Sequence, residues 1–274
     1  MKKVLMITAA LAATGLIRAA IQPIEGTNVV GFAAVTAEGA KNTLITVPFE
    51  ACMGDGAGML ADLVATNGLT AHASDPALAD QLVVLTSFDG STPVYCYYYL
   101  KAGAGWTAIT TSIVHPDGTS QNLNPPAADA FAVSRGLGFW IKRVASANPT
   151  VYVKGQVATT GQATAISSGL NLIGYGEARS LALNAVDWSG AYGFGGISAT
   201  TDRILVGKGD GTYTTYFYYV KKVGGSSYYD QFTNKWVEST STGPALPSTS
   251  IPAGQGFWYH RRGTGGFTFR PAGQ

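Results

Sequence analysis

The stretch Asp80-Gln-Leu-Val-Val-Leu-Thr-Ser-Phe-Asp-Gly90 decides the fold class. It is a run of strand-forming residues that ends in Asp-Gly, and the tyrosine-rich run Tyr95-Cys-Tyr-Tyr-Tyr-Leu-Lys101 follows it closely. Aspartate tolerates a positive φ, and glycine adopts one at no steric cost. Asp-Gly between two such runs is therefore the strongest short signal for a β-hairpin. The stretch predicts two antiparallel strands joined by a tight turn.

The same pattern returns in the second half of the chain. Asp202-Arg-Ile-Leu-Val-Gly-Lys-Gly-Asp-Gly211 precedes Tyr216-Phe-Tyr-Tyr-Val-Lys-Lys222. Farther on, Gly136-Leu-Gly-Phe-Trp-Ile-Lys-Arg143 is matched by Gly254-Gln-Gly-Phe-Trp-Tyr-His-Arg261. Matches in the same order at similar spacing indicate an internal repeat. We expect an all-β protein, a tandem duplication of an antiparallel β-sandwich or partly closed β-barrel domain with short helices capping one end.

Each Gly-Phe-Trp motif predicts a strand with one aromatic ring on each face. Successive side chains of a strand point to opposite faces, so Phe139 and Trp140 must diverge, as must Phe257 and Trp258. One ring of each pair belongs in the core. The other is exposed, covered by a neighbouring element, or used in binding.

The N-terminus reads as a signal peptide. Lys2 and Lys3 precede an uncharged run of 14 residues, 4–17, and Arg18-Ala-Ala20 follows, with cleavage expected after Ala19. A run of that length is shorter than the roughly 18 to 20 residues that span a bilayer. We expect a signal peptide at 1–19, a first β-domain at 20–158 and a second at 159–274, with no membrane span after cleavage and a secreted, extracellular or cell-surface location.

The composition fits an exported protein and disfavours nucleic acid as a partner. Charged residues make up 12% of the chain, about half of the roughly 25% that is usual for soluble domains. Loss of the leader removes three of the 18 basic residues and none of the 16 acidic ones. No polybasic stretch remains, so there is no electrostatic footprint for nucleic acid.

No motif for catalysis stands out. The histidines His72, His115 and His260 have no partners at the spacing of metal ligands, and no nucleophile elbow or zinc-protease motif is present. Glu177 and Asp187 are the least unsuitable acids for glycoside hydrolysis, which needs two carboxyl groups facing one cleft. We expect no enzyme activity, no catalytic residue, no cofactor and no metal.

The two cysteines leave two readings open. An exported chain meets an oxidising environment, so Cys52 and Cys96 are candidates for a disulfide. Two separate buried thiols are equally consistent with the sequence. The repeat alignment places Phe217 opposite Cys96, which predicts a core position for Cys96.

Aromatic side chains are the remaining candidates for function. They could pack in the core or in an interface, or they could stack on sugar rings. Consecutive tyrosines in one strand cannot all face inward, because the faces alternate. The interface or ligand candidates are Trp106, Trp140, Trp188, Trp236, Trp258, Tyr97, Tyr99 and Tyr218.

The second half also carries motifs of a known kind of domain. Asn171-Leu-Ile-Gly174, Val186-Asp-Trp-Ser189 and Ile251-Pro-Ala-Gly-Gln-Gly-Phe-Trp258 resemble, in this order, β-repeat surface domains of exported proteins in Gram-negative bacteria. The first half matches with Asn28-Val-Val-Gly31 or Asn42-Thr-Leu-Ile45 as the opening. The resemblance implies an extracellular β-sandwich-like surface domain, and that group has no defined catalytic residues to carry over.

Two functions fit these observations. The first is a structural or cell-surface protein that assembles with itself, as a filament or surface-layer subunit, through sheet edges and aromatic interfaces. Residues 20–36 either add to a neighbour's sheet by β-augmentation or pair within their own chain. The alternative is a secreted carbohydrate-binding or adhesion module with surface glycans as partners, which requires exposed aromatic rings beside polar side chains on one face.

Overall fold

A computed structural model describes the part of the chain that the following account uses. The described residues are 30–49, 58–63, 66–89, 92–114, 120–158, 163–193, 200–208, 212–221, 224–225, 227–240, 243–248 and 250–270. The predictions for the signal peptide, for Asn28, for Cys52 and for His115 lie outside these residues and stay predictions.

Strands dominate the described residues. Those of the first half are β1 (Val30–Thr36), β2 (Asn42–Thr46), β3 (Gly58–Met59), β4 (Gln81–Asp89), β5 (Thr92–Lys101), β6 (Gly105–Ile109), β7 (Thr111–Val114), β8 (Ser120–Leu123), β9 (Ala132–Val133), β10 (Gly138–Lys142) and β11 (Thr150–Gln156). Those of the second half are β12 (Thr164–Ile166), β13 (Gly169–Gly174), β14 (Arg203–Gly207), β15 (Tyr213–Tyr219), β16 (Lys235–Thr240), β17 (Gly243–Ala245), β18 (Gly256–Arg261) and β19 (Phe267–Phe269).

Helices in the described residues are short. One α-helical turn, α1, spans Leu60–Leu63, and 3₁₀ turns span Pro76–Leu78, Leu183–Ala185 and Ser227–Phe232. None of the helices found there has the length and apolar character needed to cross a bilayer. The all-β class is therefore confirmed.

Two antiparallel sheets organise the fold. The first sheet has the strand order β2-β10-β4-β5-β6, and the second sheet has the order β13-β18-β14-β15-β16-β17. The hairpins β4–β5 and β14–β15, which the two Asp-Gly dipeptides predict, pair antiparallel. Each sheet thus places its Gly-Phe-Trp strand second, beside the first strand of its hairpin.

The tyrosine-rich strands correspond in a register that the sequence alignment missed. The N–H of Leu100 donates to the carbonyl of Asp80 at 2.9 Å, and the N–H of Tyr218 donates to that of Asp202 at 3.1 Å. Counting back along β5 and β15 from these residues, the place of Cys96 corresponds to Thr214. The predicted counterpart, Phe217, was wrong, because a run of similar aromatic residues does not define a register by itself.

The Gly-Phe-Trp strands have the alternation that the sequence predicts. Phe139 and Phe257 are fully buried, one in the core of each sheet. Trp140 and Trp258 point to the opposite face and stay partly exposed. Cys96 lies in the core of the first sheet, as predicted.

Two-stranded ribbons flank the main sheets. β1 pairs with β11 along its whole length, from Val30 opposite Gln156 to Thr36 opposite Thr150. β12 pairs with β19 in the same manner. Residues 30–36 therefore pair within their own chain, which decides between the two predictions for this part of the arm.

The two sheets meet through strand β2. The N–H of Thr46 donates to the carbonyl of Gly254 at 2.7 Å. Ile45 forms an antiparallel bridge with Gln255, just before β18 of the second sheet. The first sheet therefore abuts the Gly-Phe-Trp strand of the second.

Reciprocal packing completes the junction. Leu44 of β2 packs on Gly256 of β18, where an ideal Cβ would lie 2.9 Å from the leucine Cγ. Leu172 of β13 packs on Gly138 of β10, where the corresponding separation is 3.0 Å. The first glycine of each strand thus admits a leucine from the other sheet, and the outer edges left in the two sheets are β6 and β17.

Candidate functional site: an aromatic cleft between the sheets

Burial removes most of the predicted aromatic candidates from the surface. Trp188 shows why, since its ring stacks on Phe269 with centroids 4.3 Å apart and its indole N–H donates to the carbonyl of Leu183 at 2.6 Å. Such a ring is a satisfied part of the core. The candidates buried to below a tenth of their surface are Trp106, Trp188, Trp236, Tyr99 and Tyr218.

Trp140 and Trp258 remain partly exposed, and the fold brings them together. Their ring centroids are 5.8 Å apart, with an interplanar angle of 37°. They occupy corresponding places in β10 and β18, with Leu44 opposite the first and Leu172 opposite the second. The junction of the two sheets therefore creates a two-tryptophan surface that neither sheet has alone.

Tyrosines extend this surface across the first sheet. The Tyr95 ring meets Trp140 edge-on at 5.7 Å, and Tyr97 lies 6.4 Å beyond Tyr95. Burial raises the pKa of Tyr95 above its ordinary value, and the neighbouring hydroxyls of Tyr97 and Tyr213 raise it further. Tyr213 comes from the second sheet and is 45% exposed, so it adds an accessible ring beside the tryptophan pair.

A cleft of about 640 Å³ opens beside the tryptophan pair. We call it the aromatic cleft; its lining includes Trp140, Trp258, Tyr213, Leu44, Glu38, Lys41, Asn42, Lys208 and Gln255. Glu38 and Lys41 form an exposed ion pair at 3.8 Å. The Gln255 amide donates to the carbonyl of Gly207 at 3.4 Å, which turns its side chain along the wall.

The aromatic cleft has the chemistry of a small-ligand site. Such sites combine apolar and aromatic walls with a few placed polar groups. The flat rings can carry the apolar face of a sugar, while the amides and charged groups can bond its hydroxyls. Electrostatics inside the cleft are mixed, with Glu38 opposing Lys41 and Lys208.

A second cavity, of about 600 Å³, lies within the second half of the chain. Asp187, Tyr218 and Asn234 are among its lining residues. The Asp187 carboxylate accepts hydrogen bonds from the Ser189 N–H at 2.8 Å and from its hydroxyl at 3.3 Å. Burial raises the pKa of Tyr218, and the Asp187 and Asp202 carboxylates raise it further.

Glu177, the other acid that the sequence puts forward, is engaged elsewhere. Its carboxylate accepts from the Arg135 guanidinium at 3.1 Å, and the same guanidinium donates to the carbonyl of Gly176. Arg135 lies three residues before the Gly-Phe-Trp strand β10 of the first sheet. The Glu177 carboxylate is therefore part of the contact between the two halves.

Sequence reasoning missed a buried ion pair that organises the first sheet. Asp80 and Arg143 are 63 residues apart in the chain, and the guanidinium donates to the carboxylate at 2.6 Å. The same carboxylate accepts from the backbone N–H groups of Thr70 and Val144 at 2.7 and 2.8 Å. A buried carboxylate needs this full set of partners to offset its desolvation.

The second sheet has the corresponding pair. Asp202 accepts from Arg261 at 2.7 Å and from the Tyr259 hydroxyl at 2.6 Å. It also accepts from the backbone N–H groups of Tyr192 and Arg262. The signal in the sequence was an aspartate before each hairpin and an arginine at the end of each Gly-x-Gly-Phe-Trp-x-x-Arg motif. These two buried ion pairs fix the strands that present Trp140 and Trp258.

Potential metal ligands and the one described cysteine complete the account of the predicted site residues. No group of three or more His, Cys, Asp or Glu side chains converges there. Cys96 is buried and is not bonded to any cysteine among the described residues. Because Cys52 lies outside the described residues, the disulfide stays a prediction.

Comparison with known proteins finds no match for this chain among family models, curated proteins or solved structures. The geometry of the aromatic cleft therefore has to indicate the function.

Proposed function

We propose that this protein is an exported, non-catalytic carbohydrate-binding or adhesion protein that holds a saccharide in the aromatic cleft. The observation that carries the proposal is the convergence of Trp140 and Trp258 from two different sheets, 5.8 Å apart, at the wall of an open cleft. Core packing alone does not require two partly exposed indoles at the surface. Stacking on a sugar ring does require indoles that are accessible at the surface.

The tryptophan pair is held in place before a ligand arrives. Tyr95 contacts Trp140 edge-on, and Leu44 and Leu172 flank the two indoles across the neighbouring strands. A ring fixed in this way loses little conformational freedom on binding. Polar groups of Asn42 and Gln255 line the same cleft and supply hydrogen bonds to hydroxyls.

The test is saccharide binding by the mature chain, residues 20–274, measured by calorimetry after a screen of immobilised glycans. Trp140→Ala and Trp258→Ala should each weaken binding by about tenfold or more, because a central aromatic anchor typically costs above about 2 kcal/mol when truncated. Tyr152→Ala is the matched control, since Tyr152 is an exposed aromatic residue outside the cleft. Unchanged affinity in both tryptophan variants, or no saccharide bound by the folded wild type, would refute the proposal.

Export is part of the proposal. Its support is the charged start, the uncharged run 4–17 and the small residues around Ala19. The intact mass of the protein from its own cells should correspond to a chain that starts at Ala20. A full-length mass from the cell interior would contradict export.

We also propose that the chain contains two copies of one sandwich-like β-domain, 20–158 and 159–274. The support is the shared strand order of the sheets and the two buried Asp–Arg pairs at corresponding places. The motifs that resemble exported β-repeat domains also lie within these two ranges. Residues 159–274 expressed alone should unfold cooperatively as a β-protein, and failure to fold would count against a separate second domain.

Self-assembly is the second candidate function, and a different surface favours it. Phe32 and Tyr152 are 67% and 47% exposed on one face of the β1–β11 ribbon. Large exposed apolar side chains on neighbouring strands are typical of interfaces. The outer edge at β17 is a weaker candidate, because this strand has three residues and includes Pro244.

Light scattering and negative-stain microscopy over a range of concentrations test this second function. Ordered oligomers that disappear in a Phe32→Ser, Tyr152→Ser double variant would support assembly through the ribbon. Tyr213→Ser serves as the control, because Tyr213 is similarly exposed but lies in the cleft. A monomer that persists at high concentration would reject self-assembly.

A further inference from the structure

Three basic side chains gather on the outer face of the second sheet. Arg203 of β14 and His260 of β18 are direct cross-strand partners. Arg262 follows His260 by two residues and is exposed. We call these three residues the basic cluster.

The basic cluster continues the aromatic cleft. Trp258 and His260 lie on the same face of β18, since side chains alternate along a strand. Successive residues on one face are about 7 Å apart. Leu205, the residue opposite Trp258, is on the same face of β14 as Arg203. A chain molecule lying on the two indoles therefore reaches the basic cluster without leaving this face.

The electrostatics of the cluster favour an anion. Burial lowers the pKa of His260, and the Arg262 and Arg203 guanidinium groups lower it further, with Asp202 opposing them. The pKa of Arg203 is likewise lowered by burial and then by Arg262. Like charges placed side by side on a sheet are destabilising, and an anionic ligand would relieve that repulsion.

Asp202, the acid that acts on His260 among the described residues, is already engaged. The Asp202 carboxylate is fully buried and accepts from Arg261 and from the Tyr259 hydroxyl. The neighbours on the outer face from the adjacent strands are apolar: Leu170 is paired with His260, and Phe217 is paired with Arg203. The Arg203 guanidinium lies over the Phe217 ring at 5.5 Å, which positions it by a cation–π contact.

The corresponding places in the first sheet do not have this cluster. Lys142 takes the place of His260 and pairs with Gln81, which takes the place of Arg203. Val144 takes the place of Arg262, because the N–H of each bonds the buried aspartate of its sheet. The three basic side chains are therefore not a requirement of the sheet architecture.

We infer that the ligand of the aromatic cleft is an acidic polysaccharide whose sugar rings stack on Trp140 and Trp258 while its carboxylate or sulfate groups bind Arg203, His260 and Arg262. This inference rests on the proposed carbohydrate-binding function. Arginine forms bidentate hydrogen bonds with such planar or tetrahedral anions. Charge complementarity also makes the binding salt-dependent.

The experiment compares the mature protein on three polymers: polygalacturonate, heparin and neutral dextran. An Arg203→Gln, Arg262→Gln variant should bind the acidic polymers about tenfold more weakly or worse and lose most of the salt dependence. Lys154→Gln, at an exposed lysine of β11 outside the cleft lining, should leave both unchanged. Preference for polygalacturonate or for heparin identifies the acid group as carboxylate or sulfate.

The outcomes separate this inference from the proposed function. Equal binding of dextran and of the acidic polymers by the wild type would overturn the acidic ligand and keep the cleft. If the acidic polymers still bound the Trp258→Ala variant but not the double arginine variant, the basic cluster would be supported. Saccharide binding in the aromatic cleft would then be overturned. Acidic binding that survives the double arginine change would overturn the cluster.

His260 provides a readout that a purely structural role would not affect. A bound acid group should raise the pKa of His260, so affinity should increase as the pH falls through that pKa. The imidazole resonances, titrated with and without polygalacturonate or heparin, measure this directly. His260→Gln should remove the pH dependence, and a His260 pKa that neither polymer moves would overturn its part in the site.

Discussion

At the scale of single residues, the buried Asp80–Arg143 and Asp202–Arg261 pairs explain how the strands that carry the tryptophans are fixed. The guanidinium of Arg143 also donates to the carbonyls of Gly68 and Ala147 at 3.1 and 3.3 Å. One ion pair thus ties together two loops and two strand ends. The energetic consequence appears when a single partner is removed, because the other charge is left buried.

Asp80→Asn should lower the free energy of unfolding by about 3 to 5 kcal/mol, the usual cost of breaking a buried pair. Urea unfolding followed by fluorescence measures the difference. Asp230→Asn is the control, since the Asp230 side chain is 59% exposed in its pair with Lys221 and such pairs contribute up to about 1 kcal/mol. If both changes lowered the free energy of unfolding equally, burial would not determine how much the Asp80–Arg143 pair contributes to stability.

Some residue-level features could be predicted and others could not. The opposite orientations of Phe139 and Trp140 follow from strand alternation alone. The basic cluster does not, because Arg203 and His260 are brought together by the pairing of β14 with β18. The run His260-Arg261-Arg262 marks part of it, but Arg261 bonds the buried Asp202 carboxylate and nothing in the run indicates Arg203. Sequence reasoning therefore finds faces of strands more readily than it finds partners across them.

At the scale of elements, the meeting of β2 with β13 sets the geometry of the aromatic cleft. Gly174 ends β13 in a place where an ideal Cβ would lie 2.0 Å from the Thr46 hydroxyl and 2.0 Å from the carbonyl of Gly136. Real Cβ atoms do not approach backbone oxygen so closely. The glycine is therefore required by the junction between the sheets.

Gly174→Ala should destabilise the chain by about 1 to 3 kcal/mol or more, the usual range for overpacking. It should also weaken saccharide binding, because the junction sets the separation of Trp140 and Trp258. Urea unfolding and calorimetry measure the two effects. Gly207→Ala in β14 is the control for stability alone, since an ideal Cβ there would lie 4.0 Å from its nearest neighbour, the Tyr213 ring, and Gly207 itself lines the cleft. A stable Gly174→Ala variant with full affinity would contradict the account of the junction.

Hairpins were the elements that the sequence predicted best. Asp-Gly signals are local, so β4–β5 and β14–β15 could be placed without tertiary information. The alignment of the tyrosine-rich strands failed, since any of several tyrosines could occupy a given place. The short strands β3, β9 and β17 pair over two or three residues, and such lengths leave no readable period.

At the scale of the whole molecule, buried tyrosines make stability depend on alkaline pH. Burial raises the pKa of Tyr259, and the Asp202 carboxylate that accepts its hydrogen bond raises it further. Burial likewise raises the pKa values of Tyr98 and Tyr175. The folded chain keeps these phenols protonated, whereas the unfolded chain loses their protons near pH 10.

The free energy of unfolding should therefore hold below about pH 10 and fall as the pH rises above it. Circular dichroism and tyrosinate absorbance, recorded through one titration, measure the effect. Exposed tyrosines should ionise first, and the buried ones should ionise together with the loss of strand signal. Complete ionisation of all 14 tyrosines in a chain that keeps its strand signal would contradict this prediction.

The arrangement of the sheets could not be read from the sequence. The repeat motifs suggested two copies, and the all-β class followed from them. How the halves meet depends on Leu44 inserting at Gly256 and Leu172 at Gly138. Nothing in the sequence around these leucines and glycines indicates that they are in contact. The aromatic cleft is a product of that contact and was invisible for the same reason.

The buried thiol of Cys96 makes local opening of the first sheet measurable as a rate of alkylation. Burial raises the pKa of this thiol, and Cys96 as a residue is 9% exposed. An alkylating reagent therefore reaches the sulfur only when the surrounding strands separate. The sequence has two cysteines, and replacing Cys52 by serine leaves this one alone. The labelling rate would then report local opening of the first sheet while the second sheet contributes nothing to the signal. Addition of a saccharide should slow that rate, because a ligand lying across both sheets holds them together.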